Sequence, residues 1–116
     1  MLVDDEEAIV SLGQRSLQKL GYQVTGETQS VSALEKFKED PEQFDVVVTD
    51  QTMPNLTGLS LAQELWKIRP DLPVIISTGF SEQITSDSVA DLGFQTLLNK
   101  PYAGSELAKA IKQSLA

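Results

Sequence analysis

A chain of 116 residues, 41% hydrophobic and 22% charged, suits one soluble domain large enough to bury a core. The absence of histidine and cysteine excludes Ser–His–Asp and Cys–His catalysis, disulfides and thiolate metal sites. A net charge of −8 disfavours direct nucleic-acid binding, which needs a basic stripe. No apolar run approaches the roughly 18 residues of a membrane span and no signal peptide opens the chain, so a cytoplasmic domain without membrane contact is expected.

In chain order, strand and helix patterns alternate. Leu2-Val3 reads as a strand stopped by Asp4-Asp5-Glu6-Glu7. Three residues before the acids are fewer than the roughly five of an average strand, so the chain is expected to be trimmed or cut from a longer protein. From Ala8 the pattern turns helical, with Ile9, Leu12, Leu17 and Leu20 near one face and Gly21 as C-terminal cap. Tyr22 to Thr28 reads as a second strand. Ser30 or Ser32 can cap the next helix; Ser32 with Glu35 fits a capping box, and Leu34 and Phe37 point inward. Asp40-Pro41 breaks that helix.

The third strand, Phe44 to Thr49, carries the run Val46-Val47-Val48 and delivers Asp50 to its carboxyl end. An unbroken apolar run bounded by turn residues suits a strand buried on both faces. Asn55-Leu56-Thr57-Gly58 is turn chemistry. A third helix then buries Leu61, Ala62, Leu65 and Ile68 and ends before Pro70. Leu72 to Ser77 forms a fourth buried strand. Ser81 to Leu92 is the poorest helix former, because Thr85, Ser86, Asp87 and Ser88 have low propensity. Gly93 introduces a fifth strand, Phe94 to Leu98. The last helix, about Ser105 to Ser114, buries Leu107, Ala108, Ile111 and Leu115.

Five strands alternating with five helices imply right-handed βαβ units around a parallel sheet. The expected fold is α/β, a three-layer flavodoxin-like (βα)5 arrangement of strand order 2-1-3-4-5, filling residues 1–116 as a single domain. That order sets strands one and three side by side, so Asp4 and Asp5 meet Asp50. Three converging carboxylates call for a cation. Hard oxygen ligands without His or Cys select magnesium or calcium. Strand four ends in Ser77-Thr78-Gly79 and strand five in Asn99-Lys100-Pro101. Carboxylates, a divalent ion, a hydroxyl and an ammonium together suit a phosphoryl group that a carboxylate can attack.

Each residue alone has a plainer reading. The acidic run could be a solvated helix start favoured by the helix dipole, Thr78 a β-branched strand residue, and Lys100 a surface lysine before a turn proline. Asp45 caps or begins its strand and carries no chemistry, and Trp66 packs or meets a partner. A buried carboxylate such as Asp50 is harder to dismiss, since burial without compensation is costly. Coincidence at one sheet edge decides for function.

At this point the chain resembles the receiver domain of two-component response regulators. Asp4-Asp5, Asp50 with Met53-Pro54, Thr78-Gly79 and Lys100-Pro101 stand in that family's order and approximate spacing. The resemblance implies that Asp50 is the phosphoacceptor, with Thr78 and Lys100 holding the phosphoryl oxygens. It also implies a Mg2+ site of Asp5, Asp50 and the Thr52 carbonyl, with Asp4 acting through water. The implied donor is a histidine kinase or histidine phosphotransfer protein. Ser77 to Ser81 and Leu98 to Tyr102 look most like receivers attached to hybrid sensor kinases. Two departures stand out. Leu97 occupies the position of the family's switch aromatic, which routes signalling through the loop after strand four and the helix beyond it. Phe80 is expected over the phosphoryl site, where a ring would slow hydrolysis. Two rival readings are a phosphorylation-independent interaction module on this fold and an aspartyl-phosphate phosphohydrolase. Met53-Pro54 breaks the latter's motif, and no second aspartate stands at position 52.

Overall fold

The computed structural model describes residues 1–79 and 88–115. Within them lie five strands: β1 (Leu2–Val3), β2 (Gly26–Glu27), β3 (Val47–Asp50), β4 (Val74–Thr78) and β5 (Thr96–Asn99). Four helices accompany them: α1 (Glu7–Gln18), α2 (Ser30–Glu39), α3 (Gly58–Ile68) and α4 (Gly104–Leu115), with a 3-10 turn at Pro41–Gln43. All strand pairs are parallel, and the order is β2-β1-β3-β4-β5. This is the expected order. The expected helix over 81–92 lies largely outside the described residues; its end, Ser88 to Leu92, is turn backbone closed by Gly93 and Phe94 amides bonding to Ala90 and Val89.

Strand side chains alternate faces with period two, and the core divides accordingly. Val3, Val47, Val74 and Ile76 pack with Phe37, Leu61 and Leu65 on the face covered by α2 and α3. Leu2, Val48, Ile75 and Leu98 pack with Leu17, Leu107 and Ile111 under α1 and α4. A sheet covered twice therefore reads as uninterrupted Val and Ile. Trp66 is a packing residue: its indole N–H donates to the Leu72 carbonyl at 3.0 Å, and its ring tilts against Phe94. Arg69 donates to the Pro41 carbonyl at 2.8 Å and also to that of Phe44, anchoring the approach to β3.

Several sequence expectations need correction. On α1 the buried residues are Val10, Gly13 and Leu17, whereas Leu12 and Leu20 are each 62% exposed. Side-chain size misled the reading: Gly13 lies against β1, where a Cβ would stand 2.4 Å from Leu2 Cδ2, and this close approach turns the larger Leu12 outward. The capping box also does not form. Helix α2 starts at Ser30 after Gln29, which makes no side-chain cap bond, so Ser32 is already inside the helix. Ser30 instead donates to the Pro54 carbonyl at 3.3 Å, joining α2 to the loop after β3. Gly21 does close α1, at φ 93°. The Gly21 and Tyr22 amides bond to the Gln18 and Leu17 carbonyls, the paired bonds of a Schellman cap. Outlying apolar residues are less buried than expected, with Ile68 36% and Leu115 43% exposed.

Candidate functional site

The register determines what meets at the carboxyl edge of the sheet. Val3 pairs with Thr49, Asp50 with Ser77, and Thr78 with Asn99. Asp4, Asp50, Thr78 and Lys100 are thus the last residues of four neighbouring strands or the first residues beyond them. Open α/β sheets bind ligands at this edge.

Asp4, Asp50 and Thr78 are buried, while Asp5 is exposed. One carboxylate oxygen from each of Asp4, Asp5 and Asp50 falls within 4.8 Å of the others. Lys100 Nζ reaches in from β5 and sits 2.9 Å from Asp4 Oδ2 and 3.2 Å from Asp50 Oδ2. Its amide bonds to the Thr78 carbonyl at 2.9 Å, which ties the backbone of Lys100 to the end of β4. The Lys100–Pro101 peptide is cis. Thr52 lies two residues along the loop after β3, with its side chain exposed. Phe80 lies outside the described residues. Leu97 is half-buried and packs against the α2–α3 core.

Electrostatics follow from burial. Burial pushes the Asp4 carboxyl up and outweighs the opposing Glu6 amide, which donates to Asp4 Oδ1 at 2.9 Å, and Lys100. Burial pulls Lys100 down, but Asp4 and Asp50 more than offset it and hold the ammonium above its ordinary value. Asp4 is thus raised although ion-paired, because its one ammonium also serves Asp50 and does not outweigh the cost of burial. Burial, with the charge of Asp4 next, pushes the Tyr102 phenol up to about 12.

The sequence assigns no role to four further residues that stand around this site. Gln51 caps the next helix by accepting the Leu59 amide at 2.9 Å. Gly58 starts α3 directly against the Asp50 carbonyl. Glu6 places a fourth carboxylate 3.9 Å from Lys100. Tyr102 lines a groove of about 520 Å³ running from Glu6 and Lys100 along α1. Only Glu6 and Gly58 had a signal: the acidic run continuing past Asp5, and a glycine at a helix start.

The family model described as "response regulator receiver domain" matches residues 1–112. The chain is 36% identical over 118 residues to the sensor kinase CckA of Brucella abortus, covering 99% of this chain but 12% of that protein. It is 32% identical over 116 residues to the response regulator receiver protein CpdR of the same organism, covering 99% of this chain and 94% of CpdR. A crystal structure of a response regulator receiver domain protein from Clostridium thermocellum superposes with a TM-score of 0.91 at 32% identity, covering 98% of this chain and 90% of that one.

Proposed function

The chain belongs to the response regulator receiver family, and on that premise we propose that Asp50 accepts a phosphoryl group from a histidine kinase or histidine phosphotransfer protein. The observation that carries this reading is Lys100, held between two buried carboxylates with a third within ligand distance. Families of this fold host unrelated functions, so the reading rests on the site and not on the fold.

The donor set fits Mg2+: oxygen ligands only, two of them buried carboxylates sharing one lysine. Asp5, Asp50 and the Thr52 carbonyl would hold the ion, with Asp4 acting through water, and the ion would neutralise phosphoryl oxygens. The chain's own residues do the rest. A carboxylate oxygen of Asp50 attacks phosphorus as the phosphorus–nitrogen bond to the donor histidine breaks and its electron pair returns to the imidazole. Lys100 then turns from Asp50 to the phosphoryl oxygens, and the Thr78 hydroxyl donates to one of them. Residues 1–116 act as a single receiver domain working in the cytoplasm, either alone or within a longer protein. No helix among the described residues is long and apolar enough to cross a membrane.

Incubation with Mg2+ and acetyl phosphate is expected to add one phosphoryl mass to the intact protein. Asp50→Asn should abolish that addition, while Asp45→Asn should not. Equal incorporation in wild type and Asp50→Asn would remove Asp50 from the mechanism. Catalytic turnover of phosphomonoesters would instead support a phosphohydrolase.

A further inference from the structure

Glu6 stands at the mouth of the acidic pocket, just before α1, and the chemistry above gives it no part. Its Oε1 is 3.9 Å from Lys100 Nζ and its side chain is 65% exposed. Lys100 is closer to Asp4 and Asp50, at 2.9 and 3.2 Å, so one ammonium is divided among three carboxylates. Much of the negative charge of Glu6 therefore faces whatever approaches Asp50. Among the described residues, Glu6 and Lys100 are the only charged ones lining the groove of about 520 Å³, whose other walls include Ile9, Leu12, Pro101 and Leu107. A donor that is large enough can bury apolar surface there; a small anion cannot.

We propose that Glu6 is a specificity-determining residue that disfavours small, highly anionic phosphodonors at Asp50. This rests on the phosphoacceptor reading above. In the reaction, an Asp50 carboxylate oxygen bonds to the phosphorus of an acyl phosphate. The bond from phosphorus to the acyl oxygen breaks, and the carboxylate leaves with the electron pair. Glu6 touches neither bond. It repels the donor on approach and draws on the charge of Lys100. Through solvent-rich surroundings, with a Debye length of about 8 Å, such a charge changes a rate by a few-fold.

The test uses Glu6→Gln in the full chain, which keeps the shape of the side chain and the Glu6 amide bond to Asp4. Phosphoryl incorporation is followed by intact mass in saturating Mg2+. The variant is expected to react about three- to tenfold faster than wild type with acetyl phosphate at low salt. The gain should shrink at high salt and be smaller with phosphoramidate, whose net charge is lower. A variant no faster than wild type, or a gain indifferent to both salt and donor charge, overturns the role of Glu6. If wild type takes up no phosphoryl group, or Asp50→Asn takes up as much, the phosphoacceptor reading itself falls, whatever Glu6 does.

Discussion

Replacing Lys100 with methionine is expected to destabilise the domain by about 3–5 kcal/mol at neutral pH in buffer without divalent ions. The cause is the pair of carboxylates left behind. Asp4 and Asp50 are buried, and Lys100 is the cation shown within ion-pair distance of both. Methionine preserves much of the volume but none of the charge, so the loss is electrostatic and not a cavity. Denaturant melts of both proteins provide the measurement. Equal midpoints at neutral pH would show that the carboxylates are compensated in some other way.

The pH dependence of that difference has a definite sign. Lys100 is held above its ordinary value, so its contribution is complete below the unfolded lysine value and is lost as pH rises through the folded one. Asp4 is also raised, so its contribution is present below the unfolded carboxylate value and is lost as pH rises through the folded value. At neutral pH, ionised Asp4 is therefore a net cost that Lys100 offsets. As pH falls and Asp4 protonates, the deficit of Lys100→Met should narrow. Mg2+ should narrow it too, because the ion and the ammonium compete for the same oxygens. The variant is expected to gain more stability than wild type at equal Mg2+.

What the sequence made legible, and what it did not, follows from the range of the interactions involved. The sheet order rests on long apolar runs such as Val46 to Val48, and a doubly covered strand can hardly be written otherwise. Asp4, Asp50 and Lys100 were legible because strand ends are easy to locate and one topology brings them together. The face of α1 was misread because a glycine's part in packing depends on the strand it touches, and hydropathy gives glycine no weight. Ser32 and Glu35 formed a valid capping pattern, but α2 begins two residues earlier, at Ser30, whose hydroxyl bonds to the Pro54 carbonyl. Glu6 looked like one acid among four, and its amide bond to Asp4 and its distance from Lys100 distinguish it from Glu7 only in three dimensions.

Gly58 joins fold and chemistry most closely, and Gly58→Ala is expected to damage both. A Cβ there would stand 2.3 Å from the Asp50 carbonyl oxygen and 2.6 Å from Ile76 Cδ1. The first of these neighbours is backbone and cannot rotate away. Either the start of α3 lifts from the sheet or the end of β3 moves, at a cost of about 1–3 kcal/mol. Both movements disturb the Gly58 amide bond to the Gln51 carbonyl and the Leu59 amide bond to the Gln51 side chain, which fix the loop after Asp50. Phosphoryl incorporation should slow by up to about a hundredfold, the scale expected of an ångström's misplacement. Gly21→Ala separates this effect from general destabilisation. Gly21 is held at φ 93° with nothing within 4 Å of its would-be Cβ, far from the acidic pocket in sequence. Alanine there costs about 1–2 kcal/mol of left-handed strain and should leave the incorporation rate unchanged. If the two variants slowed incorporation equally, the role of Gly58 would be stability alone. A large loss confined to Gly58→Ala would show that the start of α3 sets the position of Asp50.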